Sequence, residues 1–131
     1  YLADWYNCLK NCRQLTDIEW YFDHYGPYVA DVYEEVVKDH RLVVVNGVNQ
    51  YGSPKQTIKL RHNHLDIIFR NRLAPETIEI LDEVIEDTKA FYWSEFIDYV
   101  YNTYPIKHSK RYSKLNLQKL ALDCKSLGLE I

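Results

Sequence analysis

The chain has 131 residues, 47% of them hydrophobic and 27% charged, and a formal net charge of −3. That length supports a core without disulfide or metal staples, and the mild charge excludes both a basic protein that coats nucleic acid and an acidic chain too polar to collapse. Three Cys without paired spacing point to a reducing, cytoplasmic setting, and no apolar run approaches the roughly 18 residues of a membrane span.

Twelve Tyr and three Trp stand out, residues whose large rings and polar tips favour core edges and partner interfaces. The chain starts at Tyr1 and contains no Met, which fits a fragment whose N-terminal helix is longer than the part seen. Residues 1 to 10 place Leu2, Trp5, Tyr6 and Leu9 at helical spacing, with Asn11 at the exit. Asp4, Cys8 and Cys12 share one face of that helix, but they lack a fourth ligand, and a Cys there is more often a small buried hydrophobe than a zinc ligand.

Ile18, Trp20 and Phe22 then alternate with Glu19, Tyr21 and Asp23, the period of an extended segment with one buried face. Gly26-Pro27 follows as a sharp corner, with Pro27 preset for a first helical turn. Val29, Val32, Tyr33, Val36 and Val37 form one apolar stripe of a short helix, with Asp31, Glu34, Glu35 and Lys38 turned outward. Thr16 and Glu19 also fit a capping box, so a helical turn over 17 to 22 competes with the strand.

Leu42 to Val45 and Gln56 to Arg61 read as the arms of a β-hairpin. Asn46-Gly47 and Gly52-Ser53-Pro54 compete as its turn, and the longer loop is preferred, with Ile58 and Leu60 against Val43 and Val45 and Gly47 as a bulge. His62 and His64, near His40, make the densest imidazole group, at a hairpin exit where solvated polar residues are common. A short helix is expected over Leu65 to Phe69.

Pro75 opens a helix to about Lys89, with Ile78, Leu81, Val84 and Ile85 inward and an acidic outer face of Glu79, Asp82, Glu83, Glu86 and Asp87. Trp93, Phe96, Ile97, Val100, Tyr101 and Tyr104 make the next, core-facing helix, which Pro105 stops. Lys107, Lys110, Arg111 and Lys114, interleaved with Tyr112, form a basic connection: a solvated linker, a patch for an acidic protein, or a grip on nucleic acid. A last helix carries Leu117, Leu120, Ala121, Cys124 and Leu127, with Gly128 as its cap. The fold class expected from the residues is α+β: a predominantly helical single domain over 1–131, with a β-hairpin over about 42–61 and a short extended aromatic segment before Gly26-Pro27. No nucleophile elbow, zinc signature or dinucleotide fingerprint occurs, so neither an enzyme nor a cofactor is expected.

The aromatic run into Tyr25-Gly26-Pro27-Tyr28-Val29, followed by a Val/Tyr helix, resembles the Panacea domain, the SocA-like antitoxin family of bacterial and phage toxin–antitoxin pairs. Tyr1-Leu2-Ala3-Asp4-Trp5 resembles the end of that family's first helix, Tyr51-Gly52-Ser53-Pro54-Lys55 its hairpin, and Arg111 to Leu117 the tail of one subgroup. The resemblance implies an antitoxin that neutralises a cognate toxin by direct binding, or delivers it to protease machinery. On that footing Tyr25, Pro27, Tyr28, Asp31, Glu34 and Glu35 are the expected partner-binding residues. A nucleic-acid-binding autoregulator using Lys107, Lys110, Arg111 and Lys114 is the alternative, and no membrane partner is expected.

Overall fold

The computed structural model describes residues 1–129. In chain order the elements are α1 (Leu2–Asn11), β1 (Tyr21–Asp23), β2 (Gly26–Tyr28), α2 (Ala30–Lys38), β3 (Leu42–Val48), β4 (Pro54–Leu60), α3 (Leu65–Arg72), α4 (Pro75–Thr88), α5 (Trp93–Tyr101), α6 (Tyr104–Lys107), β5 (Ser113–Lys114) and α7 (Leu117–Ser126). The architecture is α+β and mostly helical, as the sequence predicts. The chain divides into two compact units, Tyr1–Val29 together with the segment from Pro75 onward, and Ala30–Ala74.

The first unit is built on α1, which packs against α4 and α7. Trp5, Cys8, Ile80, Pro105, Leu117 and Cys124 are fully buried around it. The helix stops at Cys12, whose φ of 62° is left-handed and whose N–H returns to the Cys8 carbonyl at 3.0 Å. Beyond it the chain folds back over α1 and is pinned by one buried carboxylate. Asp4 accepts the Thr16 N–H at 2.9 Å, the Thr16 hydroxyl at 2.6 Å and the Trp20 indole N–H at 2.8 Å. These charge-assisted bonds fix residues 14 to 20 as an irregular segment, so neither the capping-box helix nor a strand from Ile18 forms there. Trp20 and Phe22 are nonetheless buried and Tyr21 exposed, as the alternation requires.

Gly26-Pro27 is not the start of a helix. Both residues lie in β2, antiparallel to β1, with Tyr21 opposite Tyr28 and Phe22 opposite Pro27. The two-residue tip is His24-Tyr25, and α2 begins only at Ala30. Proline is tolerated because β2 is an edge strand in the order β2-β1-β5. Gly26 adopts φ +109°, a left-handed conformation that L side chains rarely take, so the backbone selects glycine there.

Other inward assignments shift. In α4 the buried residue is Ile80, while Ile85 is 51% exposed. Trp93, expected in the core, is 74% exposed, and the buried residue of α5 is Val100. Helix α5 ends at Tyr101, short of the expected stop at Pro105; Tyr104 belongs to α6, and Pro105 lies in that helix's first turn. The basic connection is no linker: β5 pairs with β1, placing Lys114 opposite Tyr21 and Ser113 opposite Phe22. Gly128, with φ +68°, follows α7 as predicted, but Leu127 is exposed.

The second unit consists of α2, the β3–β4 hairpin and α3, and no residue in it is buried. Its hairpin pairs Leu42 with Leu60, Val44 with Ile58 and Gly47 with Lys55 in unbroken register. The expected pairing of Ile58 and Leu60 with Val43 and Val45 is therefore wrong by one residue, and Gly47 forms no bulge. Turn chemistry sets this register. The Asn49 side chain accepts the N–H groups of Tyr51 at 2.9 Å and Ser53 at 3.0 Å, with Gly52 at φ +79°, which closes the longer loop. At the other end, Arg41 grips Asp39 through Nε at 2.9 Å and Nη2 at 2.7 Å and stacks 4.7 Å over the Phe69 ring. These bonds hold the Asp39 carboxyl at about 2, below the usual carboxylate range. Helix α3 runs to Arg72, beyond the expected end at Phe69.

Candidate partner-binding surface

The aromatic hairpin of the first unit projects one ring into solvent. Tyr25 is 86% exposed and meets His24 edge to face at 4.6 Å between ring centres. The hairpin under it is braced by Tyr112, a left-handed residue whose N–H donates to the Phe22 carbonyl. The Tyr112 carbonyl accepts the Tyr21 hydroxyl at 2.7 Å, and its own hydroxyl lies 3.0 Å from His24 Nδ1. An exposed ring on a braced tip can be buried by a partner at small entropic cost.

Beside this tip lies a groove of about 830 Å³, lined mainly by apolar and aromatic side chains that include Tyr25, Pro27, Val84, Trp93, Phe96 and Tyr101. Trp93 stacks on Phe96 with ring centres 6.1 Å apart. The groove wall is fixed below by Tyr1, whose hydroxyl bonds the buried Thr103 hydroxyl at 2.8 Å. Burial pushes the Tyr1 phenol well above its ordinary pKa. Tyr6, on the neighbouring face of α1, donates to Asp87 at 2.7 Å and also meets the Tyr99 hydroxyl. Its pKa is raised too, first by burial and then by those two partners. Asp87, though exposed on the acidic face, thus also serves as an acceptor that ties α4 to α1.

The predicted site residues divide between the units. Tyr25, Pro27 and Tyr28 belong to the first, and Tyr25 and Pro27 line the groove. Asp31, Glu34 and Glu35 belong to the second, exposed on α2. Sequence periodicity missed Trp93 because its helical spacing matches the core stripe of α5. The only hint is its place in the first turn, directly after Tyr92. Among the basic residues, the Arg111 guanidinium lies 5.5 Å from the centre of the Phe22 ring and Lys114 stands 3.8 Å from the Glu19 carboxylate, while Lys107 and Lys110 are exposed.

Asp4, Cys8 and Cys12 serve separate purposes: Asp4 binds the folded-back segment, Cys8 is buried, with burial raising its thiol to about 11, and Cys12 terminates α1. The imidazoles of His62 and His64 stack on each other at 5.6 Å. No helix of the described residues is long and apolar enough to cross a membrane.

The chain is α+β, and its first unit carries an exposed aromatic groove. The chain belongs to the SocA-like antitoxin family, the Panacea domain, whose family model matches residues 1–105. Membership gives it a general antitoxin role with a toxin as the partner in general. The match spans both units and ends before Lys107, Lys110, Arg111 and Lys114. No curated protein and no solved structure matches the chain.

Proposed function

We propose that the protein neutralises a cognate toxin by direct binding, in the cytoplasm, with Tyr25 and Trp93 as anchors at the rim of the apolar groove. The observation that carries this reading is the exposure of these two rings on a braced hairpin and a helix start, beside an apolar recess. Aromatic anchors next to pockets are where binding energy concentrates in interfaces. Pro27 shapes the groove wall and Tyr28 extends the aromatic surface. Asp31, Glu34 and Glu35 on α2 supply a negative face that attracts a basic toxin at long range. Blocking the toxin and handing it to a protease both begin with this contact. The three free thiols fit a reducing compartment.

Coexpression with a toxic protein encoded by an adjacent reading frame tests the proposal. The Tyr25→Ala/Trp93→Ala double variant is expected to lose growth rescue while keeping its melting temperature, since both side chains face solvent. Full rescue by that variant discards the groove as the toxin site.

A further inference from the structure

The β3–β4 hairpin has an open edge whose chemistry is specific. At its two ends Arg61 N–H donates to the Arg41 carbonyl and Asn49 N–H to the Ser53 carbonyl, both at 2.9 Å. In the same register Val43 faces Lys59, Val45 faces Thr57 and Gly47 faces Lys55. Hydrogen-bonded and non-bonded pairs alternate in an antiparallel ladder, so these three pairs exchange the bonds, and Gln56, Ile58 and Leu60 turn their backbone N–H and C=O groups outward. The sheet has two strands, and among the described residues no third pairs with that edge. Pro54, the remaining outward position, has no N–H to offer.

Side chains alternate along the same strand. Lys55, Thr57, Lys59 and Arg61 share one face, and Gln56, Ile58 and Leu60 the other. Lys55 and Lys59 are exposed and have no ion pair among the described residues, and Ile58 is 56% exposed. We propose that the outer edge of β4 receives an extended segment of a partner protein whose side chains alternate between acidic and apolar. Such a strand completes the backbone ladder, sets carboxylates beside Lys55, Lys59 and Arg61, and covers Ile58. A second copy of this chain is a poor occupant, because β4 against β4 brings like charges across from one another. Edge lysines are also a common protection against unwanted pairing, so the feature that rejects basic and neutral strands selects an acidic one.

The test uses the full chain and two synthetic peptides, seven residues long to match β4, one alternating Glu with Val and the other Lys with Val. With the Glu-Val peptide at about ten times its Kd, the amides of Gln56, Ile58 and Leu60 should exchange about tenfold more slowly. The Lys-Val peptide should leave them unchanged, and the Lys55→Glu/Lys59→Glu variant should reverse the preference. Ile58→Pro removes an outward N–H without touching the hairpin's own ladder and should abolish protection, whereas Ile58→Val should keep it. Unchanged exchange at Val43 and Val45 verifies that the proline variant retains its hairpin. Equal response to both peptides, protection confined to other elements, or concentration-dependent self-association through β4 overturns the proposal. Because no toxin is present, this result stands or falls independently of the groove around Tyr25 and Trp93.

Discussion

The two units reach order by different means. Every buried hydrophobic residue of the described chain lies in the first, where Trp5, Ile80 and Leu117 exclude water almost completely. The second contains no buried residue and leaves Val32, Val37, Ile58 and Ile67 substantially exposed. It is shaped by short-range devices: the Asn49 turn, the Asp39–Arg41 clasp and an unbroken hairpin register. Side-chain packing gives the first unit its cooperativity, whereas local hydrogen bonds give the second a conformation with little burial behind it. A two-stranded hairpin is marginal in water, and surfaces of this kind gain stability when a partner covers them.

The largest expected effect is in the core. Trp5→Ala should lower stability by about 3–5 kcal/mol, because it removes a fully enclosed ring and leaves a cavity. Val44→Ala, at the half-buried centre of β3, should cost about 1 kcal/mol or less. Urea denaturation of both variants measures the contrast, and equal losses would erase the distinction between the units.

A smaller loss, about 2–3 kcal/mol, is expected for Asp4→Ala, which strands the buried indole N–H of Trp20 and the backbone N–H of Thr16. Thermal unfolding reports the magnitude. Tryptophan fluorescence reports whether the segment from Gln14 to Trp20 loosens before the rest, and a fully cooperative loss would mean that Asp4 serves the whole core.

The subtlest effect concerns the clasp of the second unit. Arg41 depresses the Asp39 carboxyl in the folded state, so its contribution is present above the unfolded carboxylate pKa and is lost as pH falls towards about 2. An NMR titration of Asp39 should show a midpoint near that value, and Arg41→Ala should raise it towards the ordinary carboxylate range while the backbone N–H of residue 41 still donates to it. A midpoint already ordinary in the unmodified protein would remove the clasp as a source of order.

Local signals were read well where one residue type forces one conformation. Pro75 opening α4, Gly52 in the hairpin loop and Gly128 after α7 all stand as the sequence predicts. Tyr25, expected at a partner surface only through the family resemblance, stands exposed at the hairpin tip. Gly26-Pro27 misled because φ of proline suits an edge strand as well as a first helical turn, and the choice was made by pairing with Phe22 and Asp23. The hairpin register shifted by one because the alternation of Val43 to Val45 is uninformative when all three are Val, leaving the Asn49 turn to decide.

By itself, the sequence determined the identity of most elements, the α+β class and the aromatic character of the surface, since periodicity and turn chemistry act over a few residues. Tertiary structure alone decided that Asp4 would pin Trp20, that β5 would join β1, and that Trp93 would stand at a groove rather than in the core. Those outcomes depend on which distant surfaces meet, and a hydrophobic stripe encodes that it must be covered without encoding what will cover it.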